Sequence, residues 1–289
     1  MSRSSVSLFA ASRKKVDLLQ RGLVMFAAFA IGIVIFYPFY WMVMASGLPE
    51  GSSLAKTTVL IPGSISLEAY ANVLLQKPML LWTANTLLVT VLSTAFVTPL
   101  ALLAAYSMSR FRFRGRMAMI FFVLLTQLLP ATSVLIPLFL VFRAYGLLNN
   151  LLGVTIAYVT FLMPQTIWIL WGYLKSIPGD FEESAMVDGC TRFGAFLRVT
   201  VPIAIPGIVA AALFAFLESW NQYILAYALT SSTEKWVVSL GLYAFIGEYT
   251  VLVEQMMAAS VMASIPALAV FVALQRYLRG GLALGGLKG

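Results

Sequence analysis

Three polar side chains near the end of one apolar stretch are spaced so that they could bind a hydroxylated ligand. Glu218, Asn221 and Gln222 stand at i, i+3 and i+4, so a helix would place them on one face. A carboxylate and two amides can hydrogen-bond to sugar hydroxyls, with Trp220 or Tyr223 near the ring. The same groups could instead bond to neighbouring helices, at roughly 0.6 to 2 kcal/mol per bond. The residues alone leave both interpretations open.

Gln127 and Gln165 also lie inside apolar stretches. Polar groups at membrane depth are costly unless they face the protein interior or a wet path. For these two amides we favour bonds between helices. Together with Glu218, Asn221 and Gln222 they are the candidate residues of a translocation path.

The stretch from Ile177 to Pro206 is the second place where residue types and spacing are informative. Asp180 is positioned to N-cap a short helix, and Glu183 follows three residues later, as in a capping box. Gly189 suits the left-handed position that ends such a helix. The sequence therefore predicts a short acidic helix followed by a glycine elbow.

A second short helix is predicted after that elbow. Thr191 can cap it, and Phe193, Phe196 and Leu197 would then fall on one face. Pro202 then opens the next apolar span. Two short helices at an angle, with acids and an apolar ridge, are suited to contact with another protein. The alternative is an amphipathic helix lying on the membrane surface.

Composition places the chain in a membrane. Of its 289 residues 61% are hydrophobic and only 10% are charged, which is unlike a soluble domain. It has no histidine and one cysteine, Cys190, so a disulfide within the chain is excluded. Histidine is the commonest residue in metal sites and in acid–base catalysis, so its absence disfavours both. We expect no metal and no cofactor.

The apolar segments predict an all-α, polytopic fold with six transmembrane helices. Pro130 and Pro137 should kink the third span and Pro164 the fourth. A short helix is expected near Leu67–Leu75. The predicted spans are residues 22–46, 82–108, 117–142, 151–174, 203–228 and 256–277.

The basic residues predict the orientation. With the N-terminus inside, 15 of the 19 lysines and arginines lie in the cytoplasm, and only Lys56, Lys77, Arg143 and Lys235 lie outside. The positive-inside rule therefore favours cytoplasmic termini and a cytoplasmic Ile177–Pro206 stretch. This distribution also explains the net charge of +8 without a nucleic-acid partner.

The stretch from Glu183 to Pro202 resembles the EAA loop of ABC importer permeases, in which Glu-Ala-Ala, three residues, Gly, nine residues and Ile-x-Leu-Pro follow one another. Ser184, Val199 and Val201 are departures from that pattern. In that family the loop docks on the ATP-binding subunit. The resemblance implies that the docking and coupling residues are Glu183, Ser184, Ala185, Asp188, Gly189 and Pro202.

Two more segments resemble maltose-type sugar permeases. Residues 219–223 are similar to the family's Trp-Asn-Glu-Phe segment, from which Gln222 and Tyr223 depart. The tail of residues 281–289 looks like that of the MalG-type subunit, which enters the interface between the ATPase subunits. The resemblance assigns Gly285, Gly286 and Lys288 to that contact.

The resemblance implies a type I ABC importer permease in a bacterial or archaeal inner membrane. Its substrate would be a disaccharide, an oligosaccharide or a related polyol or uronide. Its partners would be a second, MalF-like permease, two ATPase subunits and an external solute-binding protein. The segments would be a cytoplasmic 1–20, a six-helix domain 21–280 with its coupling loop 176–202, and the tail 281–289.

Other classes of protein fit the sequence less well. No lysine stands in a G-x-x-x-x-G-K-[ST] motif, so ATP would be hydrolysed by another chain. An ion-coupled secondary transporter would show inverted repeats and charged midplane sites. An intramembrane hydrolase would need a base or a second acid beside Glu218.

Overall fold

The computed structural model describes residues 3–49, 64–246 and 252–285, and for residues 3–20, 131 and 278–285 it describes the backbone alone. The regular structure within these ranges is helical, as predicted. In chain order the α-helices are α1 (Arg3–Ser46), α2 (Glu68–Gln76), α3 (Met79–Arg110), α4 (Arg116–Thr126), α5 (Ala131–Ala144), α6 (Leu151–Ser176), α7 (Asp180–Val187), α8 (Arg192–Ala195), α9 (Val201–Asn221), α10 (Ile224–Leu229), α11 (Val238–Gly241) and α12 (Val253–Gly285).

Five helical segments in the described part are long and apolar enough to cross a membrane: Arg21–Ser46, Met79–Arg110, Leu151–Ser176, Arg192–Asn221 and Val253–Tyr277. The predicted third span consists of two shorter apolar helices, α4 and α5. The break falls before Pro130, which is extended (φ −63°, ψ 132°) and precedes α5. Proline supplies no N–H to the helical ladder, so the chain leaves the helix there. Pro137 stays inside α5.

The fifth span lies further towards the N-terminus than the sequence predicted. Its helix starts at Arg192, continues through a π-helical segment, Phe196–Thr200, and ends at Asn221. The wider π turn ends two residues before Pro202, which cannot donate a backbone hydrogen bond. At the other end Gln222 is extended (ψ 115°). The expected helical face of Glu218, Asn221 and Gln222 is therefore interrupted before its last member.

The chain divides into two units, which we describe separately. The smaller contains residues 1–70 and 253–261. Within it, the Ser66 backbone N–H donates to the Gly47 carbonyl at 2.8 Å. The hydroxyls of Ser46 and Tyr70 lie 2.7 Å apart. The Ser66 hydroxyl also accepts from the backbone of Glu68 at the start of α2, which confirms the predicted short helix.

The larger unit is organised around α3, α6 and α9, which pack against one another. Small residues allow the backbones to approach closely, a packing mode that membrane helices favour. Ala101 on α3 and Ala204 and Ala211 on α9 are essentially fully buried. On α9, a methyl group at Gly207 would overlap the Tyr173 ring of α6. These three helices form the frame that holds α7 at one end and the loop of residues 230–238 at the other.

The start of α3 fixes the 230–238 loop through side chains that donate to its backbone. The Trp82 indole Nε1 donates to the Thr233 carbonyl at 2.8 Å. The Asn85 amide donates to the carbonyls of Glu234 and Trp236 at 2.8 and 2.9 Å. The loop is therefore bonded to α3 along much of its length.

Two further contacts complete the attachment of this loop. The Asn149 side-chain oxygen accepts from the backbone N–H groups of Ser231 and Ser232 at 3.2 and 3.0 Å. The Thr86 hydroxyl accepts from the Val238 backbone at 2.7 Å. Backbone groups that a loop would otherwise leave unpaired are thus satisfied by polar side chains of the frame.

Candidate functional site

Helix α7 begins one residue earlier than predicted. Gly179 is its N-cap, and the Gly179 carbonyl accepts from the backbones of Glu182 and Glu183 at 2.9 and 3.1 Å. The expected capping by Asp180 was wrong, because Gly179 itself takes a helical conformation (φ −69°, ψ −24°) and Asp180 becomes the first helical residue. Asp180, Glu182 and Glu183 all lie in the first turn, where negative charge stabilises the helix dipole.

The glycine elbow after α7 is confirmed. Gly189 has φ +92°. Its N–H donates to the Met186 carbonyl at 3.1 Å, and that of Cys190 donates to the Ala185 carbonyl at 3.0 Å. These paired bonds form a Schellman motif, which closes the helix and requires a left-handed residue at this position. Gly189 therefore sets the direction in which the chain enters α8.

The second short helix is also present, but it continues into the fifth span. Its predicted cap is confirmed, because the Thr191 hydroxyl accepts from the Gly194 backbone at 3.1 Å. The predicted apolar ridge is divided. Phe196 is buried, while Phe193 and Leu197 are 64% and 48% exposed. Phe196 begins the π-helical segment and packs inwards, so the regular spacing of one face is lost there.

Glu182 is the buried centre of a polar cluster that joins α7 to the frame. Its carboxylate accepts from Arg110 Nε at 2.7 Å, from the Thr200 hydroxyl at 2.7 Å and from the Tyr106 hydroxyl at 2.9 Å. The residue is only 6% exposed. Burial alone would raise the pKa of the Glu182 carboxyl, but the donors from Thr200, Arg110 and Tyr106 outweigh burial and hold that pKa below its ordinary value. The cluster therefore contains an ionised carboxylate paired with a guanidinium.

Arg110, the last residue of α3, makes a second connection. One of its terminal nitrogens donates to the Ile177 carbonyl at 2.9 Å, at the end of α6. Next to it, the Arg192 guanidinium of α8 lies over the Phe111 ring at 5.0 Å. A cation above an aromatic face is attracted by the ring quadrupole. The end of α3 thus contacts α6, α7 and α8 together.

The opposite face of α7 points away from the frame. Val187 is 87% exposed and Phe181 is 52% exposed. Of the predicted docking residues, Ala185 is half-buried, and the others are exposed: Glu183, Ser184, Asp188, Gly189 and Pro202. The structure therefore places acidic, small and large apolar groups on one accessible surface, formed by α7 and the elbow.

The predicted residues of the translocation path are not brought into one cluster. Glu218 and Asn221 are exposed near the end of α9, and the Asn221 amide donates to the Leu217 carbonyl at 2.8 Å. The Gln222 backbone carbonyl accepts from the hydroxyls of Tyr158 and Ser239. Gln222 therefore lies beyond the end of α9, and these two hydrogen bonds hold its backbone in place.

The two other amides lie in different surroundings. Gln127 is exposed at the break between α4 and α5, and Gln165 is half-buried in α6 beside Pro164. Within the described residues no hydrogen bond joins any two of the five polar residues predicted for the path. For the tail, Gly285 ends α12, while Gly286 and Lys288 lie outside the described residues.

Glu182 and its partners, Tyr106, Arg110 and Thr200, were not predicted from the sequence. Ala185 and Met186 stand three and four positions after Glu182, so a helix places these small or apolar residues on the same face as Glu182. That signal is weak, because the apolar residues Phe181 and Val187 of the same helix are exposed.

Comparison with known proteins identifies the family. Residues 97–283 match the family described as binding-protein-dependent transport system inner membrane component. The chain is 34% identical, over 90% of its length and 93% of the relative's, to a diacetylchitobiose uptake system permease of Streptomyces coelicolor. It is 30% identical, over 94% and 99% of the two lengths, to the trehalose/maltose transport system permease of Thermococcus litoralis.

A solved structure is also similar. It is a bacterial ABC transporter involved in the import of the acidic polysaccharide alginate, matched with a TM-score of 0.71 and 27% identity over 96% of this chain and 98% of that one. These findings confirm the resemblance to permeases of carbohydrate ABC importers and the all-α, membrane-spanning fold. The chain belongs to the family of inner membrane components of binding-protein-dependent transport systems.

Proposed function

We propose that this chain is one of two permease subunits of an ATP-driven sugar importer and that α7 and its elbow dock on an ATPase subunit. The observation that carries the proposal is the division of α7 into two faces. Glu182 fixes one face to the end of α3 and to the π-helical segment before α9, while Glu183, Ser184 and Asp188 remain exposed on the other. A helix that is bonded to the frame on one face and accessible on the other can transmit a displacement from a bound partner to the frame.

The composition of the accessible face supports a protein partner. Val187 and Phe181 are exposed large apolar residues at the side of a polar break, next to the carboxylates of Glu183 and Asp188. Protein interfaces combine a desolvated apolar centre with a polar rim. Burying Val187 would contribute on the order of 2 kcal/mol, and the acids would select a basic cleft.

A second permease would cover the polar face of α9. Glu218 and Asn221 are exposed on this chain alone. A carboxylate facing lipid is expensive, so this face should meet another subunit or a water-filled path. The translocation path would then form between two permeases, with Glu218, Asn221 and Gln222 on this side and Gln127 and Gln165 as supporting positions.

The proposed substrate class is a sugar: a disaccharide, an oligosaccharide or a related polyol or uronide. The similar proteins support it, because they are described as transporters of diacetylchitobiose, of trehalose and maltose, and of alginate. A similar alginate transporter was solved with its oligosaccharide-bound periplasmic protein. The partners we propose are therefore a MalF-like permease, two ATPase subunits and an external solute-binding protein.

Transport would occur by alternation between two states. ATP binding by the partner and the loaded binding protein must favour one state over the other, since a ligand shifts an equilibrium only by its differential affinity. We place both termini and α7 in the cytoplasm of a bacterial or archaeal cell, following the positive-inside rule. The segment boundaries 1–20, 21–280 and 281–289 belong to the same proposal.

Reconstitution tests this function. The tagged chain, purified with its partners from native membranes and placed in proteoliposomes, should hydrolyse ATP. The solute-binding protein should stimulate hydrolysis when loaded with maltose, trehalose, diacetylchitobiose or an alginate oligosaccharide, and one of these sugars should accumulate in the vesicles. A preparation without an ATPase, or one in which an ion gradient drives uptake without ATP, would contradict the proposal.

A further inference from the structure

Helix α3 is bonded near its two ends to α7 and to the 230–238 loop. At its end, Tyr106 and Arg110 donate to Glu182 of α7. Near its start, Asn85 donates to the backbone of the 230–238 loop. Asn85 and Arg110 are 25 residues apart in one continuous helix. At a rise of 1.5 Å per residue they are separated by about 38 Å, more than the apolar thickness of a bilayer.

The attachment to α7 is tight and local. Two donors come from α3 and one from Thr200, in the π-helical segment that leads into α9. The three bonds are 2.7 to 2.9 Å long, and Glu182 and Thr200 are buried. Charge-assisted hydrogen bonds of this kind are stronger than neutral ones, and burial protects them from water. Helix α7 cannot move away from α3 without breaking them.

We infer that Glu182 is a positioning residue that makes α7 and α3 move as one body, so that α3 carries a displacement of α7 to the 230–238 loop on the other side of the membrane. The inference rests on the proposed docking of α7, but it concerns the inward face of the helix rather than its docking face. The bonds of Glu182 transfer the displacement from α7 to α3, and the bonds of Asn85 transfer it from α3 to the loop. A continuous helix bonded near both ends, which α3 remains despite Pro99 in its interior, is a physical connection of the kind that long-range coupling needs.

The test separates this role from docking. In a Cys190→Ser background, Glu234→Cys places a reporter on an exposed side chain of the 230–238 loop. The complete assembly, reconstituted with its solute-binding protein, is treated with a maleimide in the presence and absence of ATP. With Glu182 intact, ATP should change the labelling rate of the reporter. With Glu182→Gln, which removes the charge, the assembly should keep its ATPase and hydrolyse ATP while the ATP effect falls about tenfold, the change expected from losing one charge-assisted bond.

Substitutions that remove or keep a single hydroxyl separate the loss of a hydrogen bond to Glu182 from general misfolding. Thr200→Val removes the hydroxyl that donates to Glu182 and keeps the side-chain shape, whereas Thr200→Ser keeps the hydroxyl. Tyr106→Phe removes only its hydroxyl. The inference predicts that Thr200→Val and Tyr106→Phe reduce the ATP effect on the reporter and that Thr200→Ser preserves it.

Four outcomes would contradict the account, and they bear on different parts of it. An undiminished ATP effect in Glu182→Gln and Thr200→Val, with Thr200→Ser unchanged, would contradict the positioning role of Glu182. The same holds if Thr200→Ser fails as badly as Thr200→Val. No ATP effect on the reporter in a wild-type assembly that shows ATP-driven uptake would contradict transmission through α3, whereas a wild-type assembly without ATP-driven uptake would contradict the proposed function on which the inference rests.

Discussion

Glu182 and Glu183 are neighbours in the chain, but one side chain is buried against the frame and the other is exposed. Glu182 is 6% exposed and bonded to Arg110 at 2.7 Å, whereas Glu183 is exposed to solvent. Successive residues of a helix are about 100° apart, so two adjacent acids can serve two surfaces. The inner carboxylate secures α7 to the frame, and the outer one remains accessible to a partner.

The elbow at Gly189 predicts a substitution effect that arises from the backbone alone. Gly189 has φ +92°, and a methyl group there would meet nothing within 4 Å. The Cβ of a valine at this position would therefore have room. The backbone of Gly189→Val is nevertheless strained, because a β-branched residue at positive φ costs at least about 1–2 kcal/mol. We expect it to misdirect α8 and to lower uptake strongly. Asn tolerates this region, so Gly189→Asn should keep most of the activity, as measured by ATP-dependent uptake; equal activity of the two variants would contradict this view of the elbow.

The orientation can be measured with single cysteines. In a Cys190→Ser background, Glu234→Cys should react with a membrane-impermeant maleimide added to intact cells. Ser184→Cys, on the exposed face of α7, should react only after the cells are permeabilised. The expectation follows from the excess of basic residues on one side. External labelling of Ser184→Cys would show that the chain is inserted the other way.

The attachment of the 230–238 loop predicts a local change in stability. Asn85→Leu removes donors to the carbonyls of Glu234 and Trp236, each worth about 0.5–1.5 kcal/mol. Amide hydrogen exchange of residues 231–238 should become faster by one order of magnitude or more. Gln76→Leu, a change of an exposed amide in α2, is the control and should leave exchange in the loop unaltered.

The C-terminal tail remains a prediction from resemblance. Deleting residues 281–289 should reduce the stimulation of ATP hydrolysis by the solute-binding protein, while membrane insertion and assembly persist. The single change Lys288→Ala should have a smaller effect, since it leaves the glycines in place. Full stimulation after the deletion would mean that the tail makes no contact that matters for coupling.

Much of this architecture could be predicted because it depends on local rules. Long apolar segments predicted the spans, and Gly189 and Thr191 predicted the elbow and the cap. The wrong predictions concerned the residues at which helices begin and end. One residue at the start of α7 decided that Gly179, and not Asp180, is the cap. The helical face predicted for Glu218, Asn221 and Gln222 ends at Asn221, because Gln222 is extended.

The buried cluster could not be predicted in the same way, because its members are distant in sequence. Tyr106 and Arg110 precede Glu182 by 76 and 72 residues. Nothing in a local pattern shows that the end of α3 meets the start of α7. Only the packing of α3 against α6 and α9 brings these groups together.

The most direct test of the central claim is whether the exposed face of α7 holds the ATPase. The variant Glu183→Ala should insert normally, lose its ATPase subunits during purification in mild detergent and transport poorly, since losing a buried charged bond at an interface costs on the order of 2–5 kcal/mol. The matched control is Glu68→Ala, which removes another exposed acid from the first turn of a short helix. The account predicts that Glu68→Ala retains the ATPase and that Glu183→Ala does not. Full retention of the ATPase and full uptake in Glu183→Ala would contradict it.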